Sequence, residues 1–322
     1  MFELRQYFLL FLTATIWGSG FIGQKLGMNY VSPYTFTFMR TFIGALFLVP
    51  FIYFIIRKAK RKNKPLRFTK GKFLIGSLAC GFFLILSESL QQFGLVTTDV
   101  NKTSFLTSLY MIFTPIIGVF LGQKLEFKVI VAVILSTFGL YLFCMKGDFS
   151  LEQGDLLVLL CALGFSLHIL VIAYFVKFID GVILSCGQFF CASLLGLIMM
   201  LLDGVPDVSN LTLAIPAILY CGIMSNGIAY TLQIVGQRGI NPSIASLIMS
   251  LESVMGAIFG VLLLNETMSS REILGASLMF IAIILTQISF SSFKKLRGND
   301  NDNDNDNENN TVPPKKIEKN ID

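Results

Sequence analysis

Two glutamates stand inside long apolar runs of this sequence: Glu88 near the middle of residues 73–96, and Glu252 near the centre of residues 242–264. If such runs lie in a bilayer, a charge at their centre costs ~3 kcal/mol or more, so the group faces a cavity or a partner. A carboxylate there can exchange protons or hold an amine; the plainer role is a hydrogen bond between helices. Further polar residues accompany the two acids. Gln91 and Gln233 follow Glu88 and Tyr230 by three residues, about one helical turn. They are candidates for contacts to a polar solute, with interhelical bonding as the other reading. Asn226 lies four before Tyr230 and shares its face. Tyr110 completes the set. His168, the one histidine, sits mid-run and is either a neutral buried residue or a proton relay. Trp17 is too deep for an interfacial anchor and serves as a cavity wall or a core packer. Arg40 is a cation at depth, and a structural ion pair or carbonyl contact is favoured over solute binding.

Soluble catalytic signatures are missing. No H-E-x-x-H, no G-x-S-x-G and no clustered histidines occur. Cys80, Cys144, Cys161, Cys186, Cys191 and Cys221 all lie in apolar runs without a C-x-x-C pair. They read as small buried apolar residues, and no metal or cofactor is expected. An enzyme is therefore not expected.

The elements that must carry these residues follow from composition. Of 322 residues, 54% are hydrophobic and 14% charged, with mean hydropathy +0.72. Soluble chains carry about a quarter charged residues, so a water-soluble enzyme is disfavoured. Ten apolar segments are expected to span a bilayer: 6–27, 34–56, 73–96, 100–122, 128–145, 154–177, 182–203, 212–236, 242–264 and 271–292. The first is longer than a signal-peptide core and is read as an uncleaved span. Pro33 and Pro242 stand at first helical positions. Lysine and arginine orient the chain. Nine crowd residues 57–72, Lys64 among them, and eight more share that side, making seventeen against four: Lys25, Lys102, Lys146 and Arg271. This bias puts both termini in the cytoplasm. It also accounts for the +5 net charge, and no nucleic-acid partner is expected. Residues 294–322, nearly alternating Asn and Asp in part, have no apolar face and are expected to form a disordered cytoplasmic tail without a calcium-loop spacing.

A self-match organises the rest. Shifted by 142, residues 88–125 fall on 230–267 without a gap, and ten of 38 positions are identical. Paired Gln91/Gln233, Gly94/Gly236, Ser104/Ser246 and Ser108/Ser250 are not explained by apolar bias. The shift also relates Glu88 to Tyr230 and Tyr110 to Glu252, so each half brings one acid and one tyrosine. The four are expected around a common cavity. A weaker match sets Trp17 on Phe165 and Arg40 on Gln188. The expected fold is all-α and integral to the membrane, ten helices in two inverted five-helix repeats, residues 1–146 and 147–293. Inverted repeats build many secondary transporters, with the solute site at the midplane. Gly118-x-x-x-Gly122 and Gly256-x-x-x-Gly260 are read as close helix packing, and Pro115 as a bend in the fourth span.

The sequence also resembles the EamA-type ten-span carriers of the drug/metabolite transporter superfamily. The resemblance rests on Ile16-Trp17-Gly18-Ser19-Gly20-Phe21, on Phe38-Met39-Arg40 with Gly44-Ala45, and on the stretch from Thr103 to Tyr110 with Pro115 and Gly118. Its second-half counterpart runs from Ala245-Ser246-Leu247 through Glu252 and Gly260 to Asn265-Glu266. Gln123-Lys124 departs from the pattern, standing where the first half usually has an acid, as Glu266 does in the second. The resemblance implies export of amino acids, related metabolites or amphipathic compounds by alternating access. The expected partners are a small solute, the bilayer and H+ as a candidate coupling ion, in a monomer or homodimer of the plasma membrane. An uncoupled channel or facilitator of the same fold is the alternative.

Overall fold

The computed structural model describes residues 2–63, 65–98, 100–144, 153–264 and 268–287. Lys64, Lys146, Asn265-Glu266 and the tail, which carry several of the expectations above, lie outside them. Among the described residues all regular structure is helical, as an apolar solvent demands when backbone groups must be satisfied internally.

The first half runs α1 (Phe2–Gly27), α2 (Pro33–Arg61), α3 (Lys70–Thr97), α4 (Val100–Ser108), α5 (Tyr110–Phe120) and α6 (Phe127–Cys144). The second runs α7 (Gln153–Phe175), α8 (Gly181–Asp203), α9 (Val208–Tyr220), a π-helical stretch (Cys221–Tyr230), α10 (Thr231–Gly236), α11 (Pro242–Met249), α12 (Glu252–Leu264) and α13 (Ser270–Gln287). Helix falls on each of the ten apolar segments. Eight helical stretches are long and apolar enough to cross a membrane. The other two are α1, whose run is diluted by Thr13, Thr15, Ser19 and several glycines, and α13, which opens on Arg271 and Glu272.

Local chemistry sets the helix starts. Ser32 caps α2 by accepting from Thr35 N at 3.3 Å, with Pro33 at the first helical position. Asn241 caps α11 in the same way, accepting from Ser243 N at 2.9 Å, ahead of Pro242. Asp180 accepts from Val182 N at 3.1 Å to start α8. Asp207 starts α9, and the Ser209 hydroxyl and amide hold its exposed carboxylate below its ordinary value.

Two features were not foreseen. The fourth and ninth segments are both interrupted, at Leu109 and at Ser250-Leu251. Leu109 has φ −62°, ψ −10° and Ser250 φ −62°, ψ −13°, a local tightening of the helix. The interruption of the fourth segment is therefore not at Pro115, which lies inside α5. The eighth segment passes through a π-helix, a rare form that is frequent at functional sites.

Glycine allows the closest approaches. A Cβ on Gly18 would sit 2.5 Å from Gly256 N and 2.6 Å from Glu252 O, so α1 lies backbone to backbone on α12. The other glycine pair corrects the packing expectation. Gly122 has φ +79° and ends α5 in a Schellman turn, with Gln123 N bonding Gly118 O at 2.9 Å and Gly122 N bonding Val119 O at 2.9 Å.

The interior is unusually polar: Thr13, Thr41, Ser87, Gln92, Ser136 and Gln188 are all buried. The outside is apolar, with Phe54, Leu78, Phe82, Leu194 and Leu202 exposed. That inversion fits a lipid solvent. α2 is 29 residues long, roughly 43 Å, against a hydrocarbon core of about 30 Å. Its excess length ends in exposed Arg57, Lys58, Lys60 and Arg61.

Candidate functional site

A small internal cavity lies among α1, α2, α3, α4, α5, α7, the π-helix, α10 and α12. It offers about 30 Å³ for the centres of water-sized molecules, room for two or three waters. Glu252, Tyr110, Tyr230, Gln91, Gln233 and Trp17, all expected at a site, line it. Glu88, Asn226 and His168, also expected, are not among its lining residues.

The interruptions bring the key side chains inward. Tyr110 is the first residue of α5 and Glu252 the first of α12, each directly after its break. The backbone at the breaks is bonded by serines, as a helix break in an apolar medium requires. Ser108 Oγ donates to Ser250 O at 3.5 Å and lies 3.0 Å from Ser253 Oγ. Ser253 Oγ donates to Ser104 O at 3.1 Å, and Ser166 Oγ to Tyr110 O at 3.2 Å. Tyr110 and Ser108 face the Glu252 carboxylate, with Ser108 Oγ 3.5 Å from Glu252 Oε1. Tyr110 and Glu252 are also the residues that the 142-residue shift relates.

The second acid is held one layer out. Glu88 is buried, with Arg40 Nη2 3.4 Å from its Oε2. Asn226 and Tyr230 also face it, and Tyr230 is its partner under the same shift. The ion pair expected for Arg40 is thus present. Arg40 itself lines the cavity, which the sequence reading did not favour.

Tyr230 closes the layer between cavity and protein. Its ring centre is 4.6 Å from that of Trp17 and 6.0 Å from that of His168. His168 Nε2 is 3.0 Å from Gln188 Oε1, and His168 packs edge-on against the tyrosine, with its Nδ1 unbonded among the described residues. Gln91 Nε2 donates to Thr107 Oγ1 at 3.1 Å, which aims both at the cavity. Gln24, Thr107 and Ser225 are further polar wall residues that the sequence reading passed over. Short hydroxyl residues occur throughout these helices, and nothing in the sequence separates wall from packing. Among the described residues, no group of histidine, cysteine and acidic side chains could hold a metal ion.

Each end of α1 is fastened. Gln6 Nε2 donates to Val235 O at 2.6 Å and to Arg238 O at 3.0 Å. Lys25 Nζ donates to Leu95 O at 2.8 Å. Beside it, Asp155 takes Lys102 Nζ at 2.5 Å and the Thr98 hydroxyl at 3.1 Å. The arrangement is a small polar chamber lined by carboxylate, guanidinium, amide, hydroxyl and phenol groups.

Comparison with known proteins places this chain in a wider group. A transporter of Archaeoglobus fulgidus described as uncharacterized is 27% identical over 280 residues, covering 87% of this chain and 84% of that protein. The uncharacterized transporter YoaV of Bacillus subtilis is 27% identical over 288 residues, covering 87% and 95%. Protein PecM of Dickeya dadantii is 33% identical over 113 residues, 34% of this chain and 38% of that protein. One solved crystal structure superposes with a TM-score of 0.68 at 14% identity, covering 87% of this chain and 96% of the other, a likeness of fold. The EamA-like transporter family matches residues 4–145 and again 152–288, and to that family of multi-pass membrane transporters this chain belongs.

Proposed function

We propose that the protein carries a small organic solute, an amino acid or related metabolite, across the plasma membrane by alternating access, in the direction of export. Ten spans form two inverted halves, residues 1–146 and 147–293, with both termini cytoplasmic. The cavity is the solute site, and Glu252 and Glu88 couple or bind, with H+ as the coupling ion.

The observation that carries this reading is the meeting of repeat-related residues. Tyr110 faces Glu252, Tyr230 faces Glu88, and Ser108 donates to Ser250. Positions related by a two-fold axis meet only near that axis. The two helix breaks overlap under the same shift, Leu109 falling on Leu251, and the related residues Tyr110 and Glu252 each open the helix that follows. The family match to two successive stretches agrees with the same division. Halves of similar sequence can exchange conformations at comparable energy, the basis of alternating access in inverted repeats. With room for only a few waters, the chamber must open to admit an organic solute.

The test is metabolite profiling of the medium from cells overproducing the protein, beside cells with Glu88→Gln/Glu252→Gln. Accumulation of one amino acid or relative outside only with the unaltered protein is expected. Matching media, with both proteins equally present in the membrane, would refute export of a common metabolite.

A further inference from the structure

One wall residue is not accounted for by the ion pair it makes. Arg40 is 2% exposed, yet it lines the cavity. Its Nη2 lies 3.4 Å from Glu88 Oε2, beyond the 2.7–2.9 Å of a charge-assisted hydrogen bond. Neither Nε nor Nη2 has a hydrogen-bond partner among the described residues. The ring of Phe36, 5.9 Å from the guanidinium carbon, is the aromatic neighbour. A buried guanidinium with unfilled N–H groups is costly, and such cost persists where a ligand fills them. The same chamber holds Glu252, which faces hydroxyls rather than a cation. A forked donor and a separate carboxylate therefore address one small space.

Resting on the reading of this cavity as the solute site, we propose that Arg40 selects for an anionic group on the solute, with Glu252 taking the solute's ammonium. The guanidinium fork matches a planar carboxylate, which fixes orientation as well as charge. The preferred solutes are zwitterions, and amines that lack a carboxylate are rejected at Arg40. Arg40 thereby acts as a specificity residue in addition to balancing Glu88.

Trp17 makes the test direct. It is the one tryptophan of the chain and it lines the cavity, so its emission, excited where tyrosine does not absorb, reports occupancy. The probes are alanine, leucine, threonine and glutamine, each beside its decarboxylated amine. They are titrated against the purified full chain, with Trp17→Phe as the blank. At least one amino acid is expected to bind, and its amine at least tenfold more weakly. Arg40→Gln should weaken the amino acid roughly tenfold to a hundredfold while leaving the amine unchanged. Arg40→Gln strands a buried acid, so Arg40→Gln/Glu88→Gln, without buried charge at either position, and Arg40→Lys, without the fork, are measured as well. Equal binding of amine and amino acid, or unaltered amino-acid binding in these variants, overturns the role of Arg40 and leaves the cavity standing as the site. Response to amines alone overturns it too. Silence of Trp17 toward every probe overturns the cavity reading, and this proposal falls with it.

Discussion

Glu252 and Glu88 are both buried carboxylates, but their surroundings give them different tasks. Glu252 borders the cavity among hydroxyls, whereas Glu88 stands behind the wall and balances Arg40. Glu252→Gln is therefore expected to abolish or uncouple transport while the purified protein stays folded and monodisperse; unaltered proton-dependent transport would sink the role. Glu88→Gln should act first on stability. It leaves Arg40 buried without its counter-charge, a loss of about 3–5 kcal/mol when one member of such a pair is removed. Arg40→Gln/Glu88→Gln should recover most of that loss in thermal unfolding, and a double variant no more stable than Glu88→Gln would contradict the assignment. The burial of Glu88, His168 and Asn226 was legible in the sequence, because a polar residue in the middle of an apolar run faces a partner rather than lipid. Their place behind the wall was not, because that depends on which neighbour each helix face meets. For Arg40 the buried ion pair was legible, since a cation at mid-run needs a partner; that it also lines the cavity was not, because only packing shows which helix faces meet the space.

At the scale of elements, the apolar runs, with Pro33 and Pro242 at first helical positions, carried the helix positions. The breaks at Leu109 and Ser250-Leu251 had no such mark. Leucine is an ordinary helix former, and the tightening is supported by serines from other helices. Pro115 drew attention away from the true break, six residues before it. The close passage of α1 over α12 leads to a further expectation. Gly18→Val would push a side chain into Gly256 N and Glu252 O, a backbone surface that cannot give way. Overpacking of this kind costs about 1–3 kcal/mol, and it displaces the segment that bears Glu252. Gly20→Ala, whose Cβ would meet Ser225 Oγ at 3.8 Å, is expected to be tolerated. Comparison of the two in thermal unfolding decides whether the contact is as close as described.

Among the described residues a polar interior is wrapped in an apolar surface, and the composition announced that before any motif. Orientation is the property that can be checked most cheaply. A cysteine at Lys60, exposed at the basic end of α2, should react with a membrane-impermeant maleimide only from the cytoplasmic side. A cysteine at Val205, exposed between α8 and α9, should react only from outside. The native cysteines are five buried and one half-buried, so their background is low. Labelling of Lys60→Cys in intact cells would reverse the orientation.

The overlong, basic end of α2 also bears on how the protein is made. Its arginines and lysines, residues 57–61 of 322, leave the ribosome before the second half exists, so on the positive-inside expectation they bias the orientation of the helices that follow. Each later helix then inserts against a partner already anchored. Moving those charges to the far side of α2 would not merely relocate a loop. It would set the first two helices against the insertion of all that follow, and the cost would appear as degraded nascent chain rather than as an inactive carrier.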